Sequence, residues 1–286
     1  MDDGKLRALL TAVECGSFSK AAAQLGYTQS AMTHLVNKLE AEVGCTLLER
    51  DSQGIRLTDA GRQLLPYIQN VVCACDTLLQ EAAEQSDPRK RTLRIGCFAS
   101  IARARLPELL RAFRELHPEI KMDVLVRGDE LPAALASGEI QLALVDEARA
   151  QGFDFLPLTN TPLVAVVPPD FPWESDTIPL ERLLREPFLS NPDQYIEPFL
   201  PPDTPRLEVT ASDDGSILSM VAGGLGVSVL SSFSLVGYEG QVRVLQLEKP
   251  IALRLGAAVK SVNTIGTSAR MFLTFLREYY GKDDTQ

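Results

Sequence analysis

At 286 residues, with 45% apolar and 23% charged side chains, the chain is long enough for two or three domains with ample core. It has no run of about 18 apolar residues, and its start, MDDGKLR, lacks a signal-peptide h-region, so a soluble cytoplasmic protein without membrane contact is expected. The formal net charge of −10 excludes a non-specific nucleic-acid coat, and five cysteines without framework spacing fit a reducing compartment.

From the N-terminus, Leu6, Leu9, Leu10 and Val13 set a helical stripe that ends at Cys15-Gly16. Residues 17–40, SFSKAAAQLGYTQSAMTHLVNKLE, then spell two short helices joined by a glycine turn, a helix-turn-helix. In the first, Ser19 is placed to cap, Ala21, Ala22 and Leu25 form an apolar stripe, and Gly26 supplies the left-handed residue for the reversal. In the second, Thr28 caps, and the recurrence of Met32, Val36, Leu39 and Val43 predicts one buried face. The opposite face carries Gln29, Ser30, Thr33, His34 and Asn37, short-chained at its N-terminal end as a helix entering a major groove requires. A solvated amphipathic hairpin has the same pattern, so the two helices alone leave base reading open.

Gly44 is placed to cap the second helix, and CTLLER and GIRLT predict two strands around Asp51-Ser52-Gln53-Gly54. Arg50 and Arg56 flank the tip of this wing, where guanidinium groups could meet phosphates or a minor groove. The run from Leu6 to Leu65 resembles the winged helix-turn-helix of LysR-type transcriptional regulators. Gly16-Ser17-Phe18, Ala21-Ala22, Gln29-Ser30, Leu39-Glu40, Gly44, Leu47, Arg50 and Leu57-Thr58-Asp59-Ala60-Gly61 carry the resemblance. The chain departs from the family pattern at Leu9 and Leu48, often phenylalanine, at Thr33, often serine, and at Gln53, often basic. Gln53 removes a phosphate contact, and residues 1–65 hold seven Lys and Arg against eight Asp and Glu. Weak affinity of a single domain and reliance on dimers or tetramers are therefore expected. Candidate DNA contacts are Ser17, Ser19, Lys20, Thr28, Gln29, Ser30, Thr33, His34, Asn37, Lys38, Arg50 and Arg56.

From Thr58 a helix of nearly thirty residues is expected, with a kink at Pro66 or a regular part that begins there. Leu64, Ile68, Val71, Cys75, Leu78 and Ala82 recur at alternating four and three spacing, the seam of a coiled coil. Pairing this helix with its copy presents two recognition helices to one duplex. The competing reading packs the stripe on its own domain. Cys73 and Cys75 diverge around the helix and only His34 and His117 could assist them, so no metal site is expected. QSDPRKR, residues 85–91, reads as a hinge.

After Thr92 the pattern changes to alternating strands and helices: LRIGC, a helix over Leu106–Leu116, IKMDVLV, LPAALASG and IQLALV predict a parallel α/β sheet. FDFLPL and LVAVVP read as two further strands. A second lobe follows through PFLSN, LEVTA, a helix at Ser216–Ala222 and VSVL, before LRLGAAV and a helix from about Thr264 to Tyr280 close the chain. The expected organisation is a winged helix-turn-helix at 1–58, a linker helix and hinge at 59–91, and a two-lobed α/β effector domain at 92–286. Lobe I would hold about 92–162 and 263–286, and lobe II 163–262. This half resembles the effector-binding domain of the same family, similar in fold to periplasmic solute-binding proteins, with Gln141 where aspartate and Ser231 where proline are common.

A ligand in such a sheet lies outside the carboxyl ends of the strands. Ser100, in the loop FASIA, is the best candidate for a hydroxyl donor to an effector carboxylate, a role the resemblance also implies. Ile101, Arg127, Gly128, Ser190, Asn191 and Asp213 complete the candidate effector set, and Arg103 and Arg105 could add charge or face solvent. Cys97, near the cleft, reads as an inert buried thiol in preference to a redox sensor. No Ser-His-Asp arrangement, phosphate loop or zinc spacing is present, so neither catalysis nor a cofactor is expected. The sequence thus points to a sequence-specific transcriptional regulator. Its expected partners are double-stranded promoter DNA, a small-molecule effector for which an anion is a candidate, its own copies and RNA polymerase, with a nucleoid-associated location. The alternative is a cytoplasmic small-molecule binding protein whose helical head contacts proteins.

Overall fold

The structure is a computed structural model that describes residues 2–51, 54–87, 90–190, 195–196, 199–208 and 214–281. It divides into two compact units, Met1–Ser86 with Ala136–Gly138, and Asp87–Leu135 with Glu139–Gln286. The first holds α1 (Asp3–Cys15), α2 (Phe18–Leu25), α3 (Gln29–Val43), the antiparallel hairpin β1 (Leu48–Asp51) and β2 (Gly54–Leu57), and α4 (Asp59–Ser86). Local chemistry fixes the helix ends. The Oγ atoms of Ser17 and Thr28 accept from the amides of Lys20 and Ala31, and Gly26 takes the left-handed φ of 72° that the turn between α2 and α3 requires. Ser17 is therefore the cap of α2. Ser19, expected in that place, lies within the helix and uses its hydroxyl elsewhere.

Leu6, Leu9, Phe18, Ala21, Met32, Val36, Leu39 and Leu47 form the core of this unit. Val43, expected to continue the buried stripe of α3, is 37% exposed, since the helix ends there and Gly44 turns the chain away. Helix α4 is regular from Asp59, well ahead of Pro66, because the Thr58 hydroxyl accepts from the Gly61 amide and starts it. Leu64 and Ile68, expected in a pairing seam, instead pack with Val72 into the core of their own unit, where α4 lies on α1. Arg7 of α1 fixes that packing by bridging Asp3 and Asp76 of α4. Val71 and Leu78 remain 41% and 69% exposed, as do Tyr67 and Leu79 in part of the same surface.

The second unit begins with β3 (Thr92–Cys97), α5 (Ala99–Ala104), α6 (Leu106–Leu116), β4 (Lys121–Val126), α7 (Leu131–Ser137), β5 (Leu142–Asp146) and β6 (Asp154–Val167). It continues with β7 (Thr177–Ile178), α8 (Leu180–Leu183), β8 (Phe188–Ser190), β9 (Arg206–Glu208), α9 (Asp214–Ala222) and β10 (Ser228–Ser231). A 3-10 turn (Ser232–Leu235), β11 (Arg243–Leu247), β12 (Ala252–Val259) and α10 (Thr267–Gly281) complete it. In lobe I, β3 lies parallel to β4 and β5, and β12 runs antiparallel between β5 and β6. Leu93, Ile95, Leu109, Phe113 and Phe272 pack beneath this sheet, and Gln141 supplies the acceptor, 2.9 Å from the Arg94 amide, that an aspartate would.

The two lobes share β6. Its residues 154–162 pair with β12, while 163–167 pair with β10 on one edge and β11 on the other. The stretch read as two strands is thus one strand of 14 residues. Pro157, within the first of those stretches, sits opposite Gly256 at a register shift, where a missing amide is tolerated. Because β12 belongs to the sheet of lobe I, the return from lobe II falls at 248–251, earlier than the expected 262. A Cβ on Gly256 would stand 2.3 Å from the Leu156 carbonyl oxygen and 2.5 Å from the Phe155 ring. Gly256→Ala is expected to cost at least about 2 kcal/mol by overpacking. Thermal denaturation checks this, and an unchanged midpoint would show that the ladder yields at the shift.

Candidate DNA interface and effector cleft

Met32, Val36 and Leu39 bury one face of α3, and the other face leaves Thr28, Gln29, Ser30, His34, Asn37 and Lys38 exposed, with Thr33 half-buried. Its first turn is held in place. Ser19 Oγ donates to Gln29 Oε1 at 3.0 Å, and Thr28 Oγ1 lies 3.0 Å from Ser30 Oγ. With its oxygen occupied, Gln29 offers its NH₂ group outward, a donor suited to the acceptor atoms of a major groove. The wing is tied to the same helix. Glu40 Oε1 accepts from the amides of Leu47 at 2.7 Å and Leu48 at 3.0 Å, and the Ile55 amide donates to the Gly16 carbonyl at 3.2 Å. Glu40 belonged to the family pattern, but its bonding role has no periodic signal and emerges only from the fold.

Arg56 is exposed on β2, opposite Glu49 in the ladder. Arg50 is placed by its backbone pairing with Ile55, while its side chain and Gln53 lie outside the described residues. Cations away from this face are committed. Lys5 pairs with Glu42 and Asp2, whose hydrogen bonds raise its pKa, Arg7 holds Asp3 and Asp76, and Arg62 holds Asp59. Lys20 and Lys38, both exposed, form no ion pair among the described residues, and Ser17 sits half-buried at the start of α2.

In the second unit the carboxyl ends of β3 and β5 face lobe II. Ser100 follows β3 on α5, half-buried. Phe98 occupies the cap position, so Ser100 is no cap, and its hydroxyl has no partner among the described residues. Ile101 is buried in the core of lobe I and lines a small, mostly apolar pocket with Leu109, Leu158 and Phe233. Arg127, expected at the cleft, extends along the exposed sheet edge to Glu139 at 3.2 Å, a charge partner that the spacing of the two residues hid. Gly128 only opens the turn into α7. Ser190 ends β8, and its side chain, with Asn191 and Asp213, lies outside the described residues.

Two cleft residues escaped the sequence reading. Arg149, in the turn DEARAQG after β5, lies between Asp146 at 2.9 Å and Asp129 at 3.0 Å, with its guanidinium 5.1 Å from the centre of the Phe98 ring. Tyr195 of lobe II accepts from the Ser231 amide at 2.7 Å. The Ser231 hydroxyl is 3.1 Å from Thr161 Oγ1, which is itself 3.1 Å from Ser232 Oγ. Proline at 231 would delete the amide that holds Tyr195. Burial pushes the Tyr195 hydroxyl well above the usual tyrosine range and Asp214 adds to the shift, so it stays protonated and able to donate. Tyr195 lies in a proline-flanked loop, NPDQYIEP, where sequence pattern gives no direction.

The family comparisons place both units. Residues 4–62 match the bacterial regulatory helix-turn-helix protein, lysR family, and residues 86–281 match the LysR substrate binding domain. An uncharacterized HTH-type transcriptional regulator of Bacillus subtilis (strain 168), YvbU, is 27% identical over 290 residues, covering 98% of this chain and 99% of the relative. A probable hydrogen peroxide-inducible genes activator of Mycobacterium xenopi is 34% identical over 169 residues, 58% of this chain and 89% of that one. A full-length OxyR variant from Pseudomonas aeruginosa has a similar fold, with a TM-score of 0.70 at 23% identity, covering 97% of this chain and 95% of that one.

Cys97 ends β3 with no exposed surface, and burial pushes its thiol up to about 12. At pH 8 the thiolate is then on the order of one part in ten thousand. Iodoacetamide at that pH is expected to leave Cys97 unmodified while it alkylates the half-buried Cys15, Cys45, Cys73 and Cys75. Peptide mass mapping checks this, and early labelling of Cys97 would contradict its burial.

Proposed function

The chain belongs to the LysR family of bacterial helix-turn-helix transcriptional regulators, and we propose that its copies hold promoter DNA in pairs while an effector in the cleft sets their geometry. The first turn of α3 carries this reading. Its short polar groups are exposed and braced by the bond from Ser19 to Gln29, and Lys20 and Lys38 stand nearby without an ion pair among the described residues. Gln29, Ser30, Thr33, His34 and Asn37 read base edges, and Ser17, Lys20, Lys38, Arg50 and Arg56 contact the backbone. Because few cations are uncommitted, one copy binds weakly, and pairing through α4 supplies a second reading head. The pairing surface is narrower than the full heptad stripe: Val71, Cys75, Leu78 and Ala82, joined by Tyr67 and Leu79.

An effector bound by Ser100 from lobe I and by Tyr195 from lobe II changes how the lobes close, and thereby how the DNA is bent or RNA polymerase is met. Among the described residues no helix is long and apolar enough to cross a membrane, which accords with a regulator working on the nucleoid in the cytoplasm. The M. xenopi relative is named for peroxide; in this chain Cys97, the one cysteine after Cys75, is buried and holds its proton. No catalytic role is assigned to any residue.

A site selected in vitro from random DNA tests base reading. Gln29→Ala is expected to narrow the gap between selected and random duplexes by about 1–3 kcal/mol, whereas Lys38→Ala weakens both and lowers the salt slope by about one. Equal losses on both duplexes for Gln29→Ala would refute base reading, and a head that shifts no duplex would favour protein contacts instead. Leu78→Glu is expected to convert dimers to monomers in sedimentation and to cut affinity for the selected site at least about tenfold, while each monomer keeps its fold. Unchanged assembly would move the interface away from α4.

A further inference from the structure

Tyr27 is the side chain of the reading head that packing does not account for. It stands in the turn between α2 and α3, one residue before the Thr28 cap, and is 48% exposed. Its backbone is fixed, because Gly26 takes the left-handed φ of 72° and the Tyr27 amide donates to the Ala22 carbonyl at 2.9 Å. Its hydroxyl has no hydrogen-bond partner among the described residues. An apolar side chain in this place commonly packs on the fourth residue of the helix that follows. Here that residue is Met32, wholly buried in the core of the unit, and the Tyr27 ring stays half outside. The other large apolar side chains exposed in the first unit, among the described residues, have a place of their own. Tyr67, Val71, Leu78 and Leu79 lie on α4, and Val43 ends α3.

A side chain with an apolar ring and a hydroxyl at its tip suits a surface that is part hydrocarbon and part hydrogen-bond acceptor. The wall of a DNA groove is such a surface, with sugar carbons beside phosphate oxygens. When a helix-turn-helix docks, its first helix crosses the backbone and the first turn of its second enters the groove. Tyr27 lies at the passage between the two, next to Gln29 and Ser30, whose side chains are shorter. Charge is scarce there: Lys5, Arg7 and Arg62 are committed to carboxylates, which leaves Lys20 and Lys38 without an ion pair among the described residues. An uncharged donor adds to the hold on phosphate without drawing on those cations.

We propose that Tyr27 is a backbone contact of the DNA-reading surface, its hydroxyl donating to a phosphate oxygen at the groove edge and its ring lying on the adjoining sugar. The assignment rests on the reading of α3 as the recognition helix and adds a contact of a different kind from the lysines. A neutral hydroxyl displaces no condensed counterion, so its contribution does not depend on salt as theirs does.

The test uses the full chain, the selected and random duplexes, and a series of salt concentrations. Tyr27→Phe is expected to weaken both duplexes by the same factor, about five- to tenfold, and to keep the salt slope of the parent. Its melting midpoint should stay within about 1 °C of the parent, because the lost hydroxyl faces water. Lys38→Ala, measured beside it, lowers the slope. Unchanged affinity of Tyr27→Phe would overturn the proposal. So would a loss confined to the selected duplex, which makes Tyr27 a base reader, a lowered slope, or a midpoint that falls together with affinity, which makes the hydroxyl part of the fold. Binding by the parent keeps the two readings apart. A parent that binds no better than Tyr27→Phe removes only this contact, whereas a parent that holds neither duplex removes the DNA-reading function itself.

Discussion

Bringing a duplex against a protein with a formal net charge of −10 costs electrostatic work, and salt screens it only beyond about 8 Å. The reading head must therefore present its cations locally and keep its carboxylates occupied. The first unit does so through short-range pairing: Asp2 and Glu42 on Lys5, Asp3 and Asp76 on Arg7, Asp59 on Arg62. Glu40, which closes the recognition helix, spends its carboxylate on two backbone amides of the wing and fixes the angle between them. A charge that would repel phosphate becomes the bracket of the DNA-reading surface.

The same economy bears on α4. Its first half is core, through Leu64, Ile68 and Val72, and Arg7 reaches Asp76 in its second half. Exposed ion pairs contribute little each, but this one joins the reading head to the stretch of helix that carries Val71 and Leu78. If two copies pair there, the separation of their recognition helices is set by a rigid body, with no flexible joint between pairing surface and reading surface. In the second unit the rigid part is the ladder of β6 and β12. One strand serves both sheets, so motion between the lobes must twist β6 near Asn160–Leu163 and the connection at 248–251.

What was legible in the sequence is what rests on local periodicity and local backbone chemistry. The helix-turn-helix was readable because Gly26, Thr28 and the Met32, Val36, Leu39 stripe each act within a few residues. The strands of lobe I were readable for the same reason. The errors follow from non-local competition. The stripe on α4 was correct as a stripe, but α1 claimed its first turns, and spacing cannot tell which partner covers an apolar face. One strand read as two because Thr159–Pro162, between the two apolar runs, carries no strand pattern of its own and is held in the ladder by β12, far away in the chain. Arg127 and Arg149 look alike in sequence; only the fold gives one Glu139 at an exposed edge and the other a place between two carboxylates over Phe98.

The cleft shows why a binding site resists prediction from pattern. A packed core satisfies its polar groups, and a residue that stays unsatisfied is selected against unless function repays it. Arg149 has been satisfied by the fold itself, and with Asp129 and Asp146 it contributes one net negative charge, so it cannot attract an anion on its own. Among the described residues Tyr195 is satisfied only as an acceptor, from Ser231, and it keeps its proton because burial and Asp214 disfavour its loss. Ser100 and Arg103 find no partner among the described residues. The order runs from the floor of the cleft, which is closed in charge, to α5, which is open.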